Sequence, residues 1–228
     1  MDQMDKNTVP AKDQLKDSGS VFFTNTEGSG KRILFVGNSI TLHGIRPEIG
    51  WHGQWGMAAS AQEKDYVHLT MDRVRKIDPD PAFCICQVAD WERQFVHGED
   101  ILEQYAYARA FEADIILLRM VENCPKKDYE YDLFLRQLDG LVRYLDGTCC
   151  AKVIATTGFW KHPADEAIRA WARQHNVPLC DLGQLGEQDE MKAIGQFEHK
   201  GVANHPSDAG MQAIADAIWV ELKPMLEE

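Results

Sequence analysis

From residue 31 onward, short unbroken apolar runs alternate with longer stretches in which apolar residues recur every three or four positions. The runs at 33–37, 83–88, 114–119, 152–156 and 177–181 predict five strands, and their continuous apolar character is that of strands covered on both faces. Helical spacing predicts helices over 57–77, 99–112, 127–146 and 163–175. A last helix is expected over 207–226, with Ser207 as its N-cap and Ile214, Ile218 and Leu222 on one face. Strands alternating with helices imply crossover units on a parallel sheet. The fold class expected is therefore α/β: one three-layer, flavodoxin-like, doubly wound domain on a five-stranded parallel sheet. Residues 1–30 are polar and broken by Pro10, Gly19, Gly28 and Gly30. They read as a flexible extension from a domain spanning 31–228, with Val21-Phe22-Phe23 as the piece able to dock on the body.

A chain of 228 residues with 44% hydrophobic content can bury one full core but not two comfortable ones. The net charge of −12 argues against nucleic acid, because phosphate binding needs clustered Lys and Arg and not an acidic surface. None of the six cysteines forms a CxxC pair with a matching partner pair, which argues against a zinc site. Cys84 and Cys86 lie inside an apolar run, where a reduced thiol acts as a small hydrophobe. No segment reaches the roughly 18 apolar residues of a membrane helix, and Met1-Asp2-Gln3-Met4-Asp5 does not open a secretory leader. The cytoplasm is the default location on that reading.

In open α/β sheets ligands bind beyond the carboxyl ends of the strands, at the point where strand order reverses. The first strand ends in Gly37-Asn38-Ser39-Ile40-Thr41, the second in Val88-Ala89-Asp90-Trp91-Glu92 and the third in Met120-Val121-Glu122-Asn123. Asn204-His205-Pro206-Ser207-Asp208 precedes the last helix. Together they supply a hydroxyl, exposed backbone amides, a carboxamide and an imidazole, which is the inventory of acyl transfer. Gly37 lets the chain leave the strand sharply and presents Ser39 at an expected helix N-terminus. Each piece alone also has a plain structural role: Ser39 as a cap, Asn123 as turn chemistry, His205 as part of a loop. Their convergence on one sheet edge favours the functional reading.

These residues resemble the SGNH (GDSL-like) hydrolases. Gly37-Asn38-Ser39-Ile40-Thr41 is similar to the family's first block, Asn123 to the Asn of its third, and His205-Pro206 with Asp208-x-Gly210-Met211 to its fifth. The resemblance spans roughly residues 31 to 226. It implies Ser39 as nucleophile and His205 as general base. The oxyanion hole it implies uses the Ser39 amide, the Ala89 amide and the Asn123 side chain.

Two departures stand out. Ala89 replaces the usual Gly of the second block, which leaves a backbone amide in place. Val202 replaces the Asp usually found three residues before the His. Valine cannot accept the imidazole N–H, so Glu198, Asp208, Glu122 or a backbone carbonyl must orient the ring, or the pair acts as a dyad; Glu198 is favoured because it lies in the same loop. His43, His52, Trp51, Trp55 and Trp91 surround the site without metal-ligand spacing, and the tryptophans either stack on a substrate or pack the loop after Ser39. Asp90-Trp91-Glu92-Arg93 reads as a polar rim with a local ion pair.

The expectation is an esterase that needs no metal or organic cofactor. It would cleave a small-molecule or glycan ester, a small acyl group such as acetyl on a carbohydrate, with no nucleic-acid or membrane partner. The alternatives are an acyltransferase of the same fold, a non-catalytic ligand-binding domain in which Val202 marks a lost triad, and a flavodoxin-like nucleotide or flavin module. The last is disfavoured because no Gly-rich phosphate loop follows the first strand.

Overall fold

The computed structural model describes residues 19–127 and 129–227. The part of the expected extension before residue 19 lies outside them. Six strands form one sheet: β1 (Val21–Thr24), β2 (Arg32–Gly37), β3 (Ala82–Gln87), β4 (Ile115–Arg119), β5 (Lys152–Thr156) and β6 (Leu179–Cys180). Their spatial order is β1-β3-β2-β4-β5-β6. Strands β2 to β6 pair in parallel. Leaving β1 aside, this is the doubly wound order, with its reversal between β2 and β4.

The unbroken apolar runs have the physical reason expected of them. Along β2, Leu34 and Val36 enter one core while Ile33 and Phe35 enter the other. Strands β3 and β4 divide the same way: Cys84, Cys86, Ile116 and Leu118 face one core, and Phe83, Ile85, Ile115 and Leu117 the other. A strand buried on both faces has no solvent side to be polar on. The first face is covered by α2 (Ala89–Gln94), a 3-10 segment (Phe95–Tyr105), α3 (Ala106–Ala110), α4 (Tyr131–Leu145) and α5 (Asp165–His175). The second is covered by α1 (Tyr66–Val74) and α7 (Asp208–Glu227). Ser207 Oγ accepts the Gly210 N–H at 3.3 Å, a capping bond at the start of α7.

Several expectations need correction. The sheet has six strands and is mixed: β1 pairs antiparallel with β3, Val21 opposite Cys86 and Thr24 opposite Phe83. The helix expected over 57–77 begins only at Tyr66, where Asp65 accepts the His68 N–H. Ahead of it Trp51, Met57 and Ala58 form a small core of their own with Ala193 and Val202, which holds that stretch in a loop. The helix expected over 99–112 is a 3-10 segment followed by the short α3. The last strand shrinks to two residues, Leu179–Cys180. Pro178 has no N–H to give, and the Val177 N–H is spent on Ala172 O at 2.8 Å closing α5. Of the six cysteines, Cys84, Cys86, Cys124 and Cys180 are buried thiols, whereas Cys149 and Cys150 are exposed thiols.

Two glycines give opposite predictions. A Cβ on Gly37 would lie 2.7 Å from the Arg119 carbonyl oxygen and 1.8 Å from Thr41 Oγ1, so Gly37→Ala should destabilise by about 1–3 kcal/mol. Gly140, inside α4, has nothing within 4 Å of its Cβ position, so Gly140→Ala should stabilise by about 0.5–1 kcal/mol. Urea midpoints of the two variants check both signs; a neutral Gly37→Ala would show that β2 does not need this close approach.

Candidate active site

The turn after β2 carries Ser39. It is one closed turn, Asn38 O accepting the Thr41 and Leu42 N–H groups at 2.9 Å each, and not the start of the expected helix. The loop ahead of α1 clamps it from above: Met57 N–H donates to Ser39 O at 2.8 Å, and Gly56 packs so close to Ile40 O that a Cβ would sit 2.5 Å away. Asp65, fully buried, accepts the Gly56 N–H at 2.9 Å and so ties this loop to the N-terminus of α1.

His205 follows the four-residue helix α6 (Lys200–Ala203). Its Nε2 lies 2.8 Å from Ser39 Oγ, and its Nδ1 lies 2.7 Å from the Gly201 carbonyl oxygen. A carbonyl only accepts, so Nδ1 carries the hydrogen and the Nε2 lone pair faces the serine hydroxyl. Gly201 O is one of the carbonyls that a helix end leaves without an intrahelical partner. The Trp160 ring stands edge-on to the imidazole, 5.3 Å between centroids at 87°. Burial pushes His205 down to about 4; the Gly201 bond opposes this, and the nearby His43 adds to it.

Of the acids considered for His205, none takes Nδ1. Glu198 is exposed, along a groove with Pro47 and Phe197, and the Gly201 carbonyl stands in the place expected of it. Asp208 accepts from Ser60 N at 2.8 Å and Lys64 Nζ at 2.9 Å, bracing the loop before α1. Glu122 is bound to Arg119 and to the Phe159 N–H. Val202 is fully buried against Trp51, Met57 and Ala58, so this position packs the loop and offers no acceptor to the His205 ring.

Ser39, His205, Ala89 and Asn123 line one cleft of about 600 Å³. The Ala89 N–H donates to Gln87 Oε1 at 2.9 Å. Asn123 Nδ2 donates one hydrogen to Glu92 Oε2 at 2.6 Å, and its Oδ1 accepts from Arg93 at 3.3 Å. Of the neighbours, Trp51 is buried and stacks edge-to-face with Trp55 at 5.6 Å, Trp91 is in the core, and His52 is exposed. His43 lines the cleft.

Beneath these groups lies a buried charged network that the sequence reading missed. Glu92 is not on a rim but fully buried, as are Arg119 and Asn38. Arg119 pairs with Glu122 at 2.5 Å and donates to Asn38 Oδ1 at 3.2 Å. Asn38 Nδ2 is shared between Glu92 Oε1 at 2.9 Å and Glu122 Oε2 at 2.5 Å. Burial and the Glu122 charge push the Glu92 carboxyl up. Burial works against ionisation of Glu122 as well, but Arg119 outweighs it and holds that group low. The one sequence signal for Glu92 is its i, i+3 relation to Ala89, which puts both on one helix face. The expected local ion pair is present between Arg93 and Asp90 at 3.1 Å. Among the described residues no cluster of three or more His, Cys, Asp or Glu could hold a metal, and no helix is long and apolar enough to cross a membrane.

The sequence matches no family model and no curated protein. Its fold matches solved structures. A lipase/acylhydrolase from Enterococcus faecalis shares 14% identity with a TM-score of 0.55, over 86% of this chain and 96% of that one. A member of the lipolytic G-D-S-L family from Veillonella parvula shares 15% identity with a TM-score of 0.52, over 83% and 96%. A two-domain esterase active on acetylated mannans shares 18% identity with a TM-score of 0.54 over 90% of this chain. The chain spans about half of that esterase, 52% of its length. The fold is that of the SGNH (GDSL) hydrolases.

Two substitutions test how His205 is held. Glu198→Ala should leave the modification rate of Ser39 by a serine-reactive phosphonate within about twofold of wild type, since Gly201 O already takes Nδ1. Val202→Asp should lower stability by about 3–5 kcal/mol, by burying an unpaired carboxylate, and should not speed modification. A large loss in the first variant, or a gain in the second, would restore a side-chain acid to the site.

Proposed function

We propose that the protein is a serine ester hydrolase, with Ser39 as nucleophile and His205 as general base. The observation that carries this is the chain Ser39 Oγ–His205 Nε2–His205 Nδ1–Gly201 O, at 2.8 and 2.7 Å, opening on a cleft. Ser39 Oγ attacks the acyl carbonyl while Nε2 takes its proton. The oxyanion is received by the Ser39 N–H, by the Ala89 N–H once the Gln87 amide has yielded it, and by the second Asn123 Nδ2 hydrogen. His205 then passes its proton to the departing alkoxide. Water repeats the sequence on the acyl-enzyme and frees the acid. Gly201 O fixes tautomer and ring orientation, the roles of the acid in a triad, but without its countercharge.

For the substrate we infer an O-acylated carbohydrate with a small acyl group. The cleft around Ser39 offers Gln54, Gln62, Gln87, His43, His68 and Arg93, side chains suited to hydroxyl groups. The two-domain esterase that shares the fold is active on acetylated mannans, which supports the same choice.

A fluorophosphonate should label Ser39, as located by peptide mass spectrometry, and Ser39→Ala and His205→Ala should abolish the label. Release of acetate from acetylated mannan, against hydrolysis of longer-chain aryl esters, tests the substrate. A folded protein that neither labels nor turns over would end the hydrolase reading. The base must be neutral to act, and burial pushes its pKa down to about 4. On His205 alone, kcat/KM should therefore hold as pH falls through 6.5 and decline only near pH 4–5. A midpoint near 6.5 that persists in Glu92→Gln would mean that His205 is solvated in the working enzyme, whereas one that disappears belongs to the Glu92 carboxyl, which burial and Glu122 push up.

A further inference from the structure

Glu92 is the group in this molecule whose placement is hardest to justify by packing. It is a carboxylate with no exposed surface, beside a second carboxylate, and Arg119 pairs with the other one. Removing a charge from water is costly unless its oxygens are fully engaged. Those of Glu92 are. Oε2 accepts Asn123 Nδ2 at 2.6 Å. Oε1 accepts Asn38 Nδ2 at 2.9 Å and the Val121 N–H. Val121 is held at a φ of 119°, a conformation that a β-branched residue adopts only when its surroundings over-determine it.

All three donors belong to the proposed site: Asn38 adjoins the nucleophile, Val121 leads to Asn123, and Asn123 lines the cleft with Ser39. We propose that Glu92 is a positioning residue that sets the oxyanion side of the site by gripping Asn123, Asn38 and the Val121 amide from beneath. The proposal rests on the hydrolase reading and deepens it. A carboxamide is planar, so fixing one Nδ2 hydrogen on Glu92 fixes the direction of the other. Arg93 on Oδ1 keeps the amide from turning end for end. Glu92 never meets the substrate; it acts through Asn123.

The test is a double-mutant cycle on the full chain, with wild-type Ser39 labelling as calibration. Glu92→Gln keeps the shape but turns one acceptor into a donor. It should lower kcat about 10- to 100-fold with KM within about twofold, because only the alignment of a transition-state donor changes. Asn123→Ala should lower kcat about 10²–10³-fold. In the double variant the Glu92→Gln loss should shrink to about threefold or less, since the group it positions is gone. Losses that multiply, or an unimpaired Glu92→Gln, would overturn the proposal and leave Glu92 a structural residue.

Should Glu92→Gln fail to fold, the ¹⁵N-labelled wild-type chain gives a second measurement. The Asn123 side-chain amide, assigned by its loss in Asn123→Ala, should show one downfield, exchange-protected proton and one ordinary one. Two equivalent protons would overturn the proposal. Wild-type protein that labels but shows no coupling defeats the positioning role alone; wild-type protein that does not label defeats the hydrolase reading and this proposal with it.

Discussion

A guanidinium sealed inside a protein must have an anion beside it, and in this fold that requirement fixes the floor of the cleft. Arg119 ends β4 with no exposed surface and pairs with Glu122 three residues on. Removing either partner would strand a charge in a low-dielectric interior, a loss of about 3–5 kcal/mol. The pair is knitted outward through Asn38 into the turn after β2 and through Glu92 into α2. The ends of β2 and β4 and the start of α2 are thus joined by polar bonds that tolerate little displacement. The proposed chemistry, in which groups meet a reacting carbonyl within tenths of an ångström, would need this stiffness, which apolar packing alone supplies less directionally.

His205, the proposed base, is held by other means. A backbone carbonyl cannot lose its place by changing protonation state or rotamer, so Gly201 O orients the imidazole at any pH at which α6 is folded. What it lacks is charge. A carboxylate would raise the basicity of the ring and stabilise the imidazolium, whereas here burial dominates and keeps the ring neutral. The position that would carry the acid in the resembling family is spent on Val202, which fills the small core under the loop clamping Ser39. Orientation of the His205 ring and support of the loop that clamps Ser39 thus come from adjacent residues of one short helix.

The two-faced burial of the sheet made β2, β3, β4 and β5 legible, because a strand covered on both sides leaves an apolar run that little else produces. That Ser39, Asn123 and His205 meet at one cleft was legible because each follows a structural boundary with a residue type chemistry can use. Gly201 was not: a carbonyl belongs to every residue, and its availability depends on where α6 ends. Glu92 hid for the opposite reason. A Glu within Asp90-Trp91-Glu92-Arg93 looks like surface, and only the packing of α2 against the ends of β2 and β4 turns it inward. The late start of α1 had a local signal, Asp65 three residues before His68, but the apolar residues ahead of it mimic helical spacing while filling a separate core.

Strand β1 gives the sheet an edge that the parallel strands lack. It satisfies the outer ladder of β3, and Ser20 O takes at 2.7 Å the N–H of Gln87, the residue whose side chain occupies the Ala89 amide. Ser20, Phe22 and Thr24 also wall the cleft. A chain cut at residue 30 would keep Ser39, His205 and Asn123 and still be a different molecule. Its β3 would present unpaired backbone to any passing strand, an invitation to self-association, and its cleft would be open on one side, less choosy about what it admits. Solubility and selectivity would then both hang on four residues that contribute nothing to the chemistry itself.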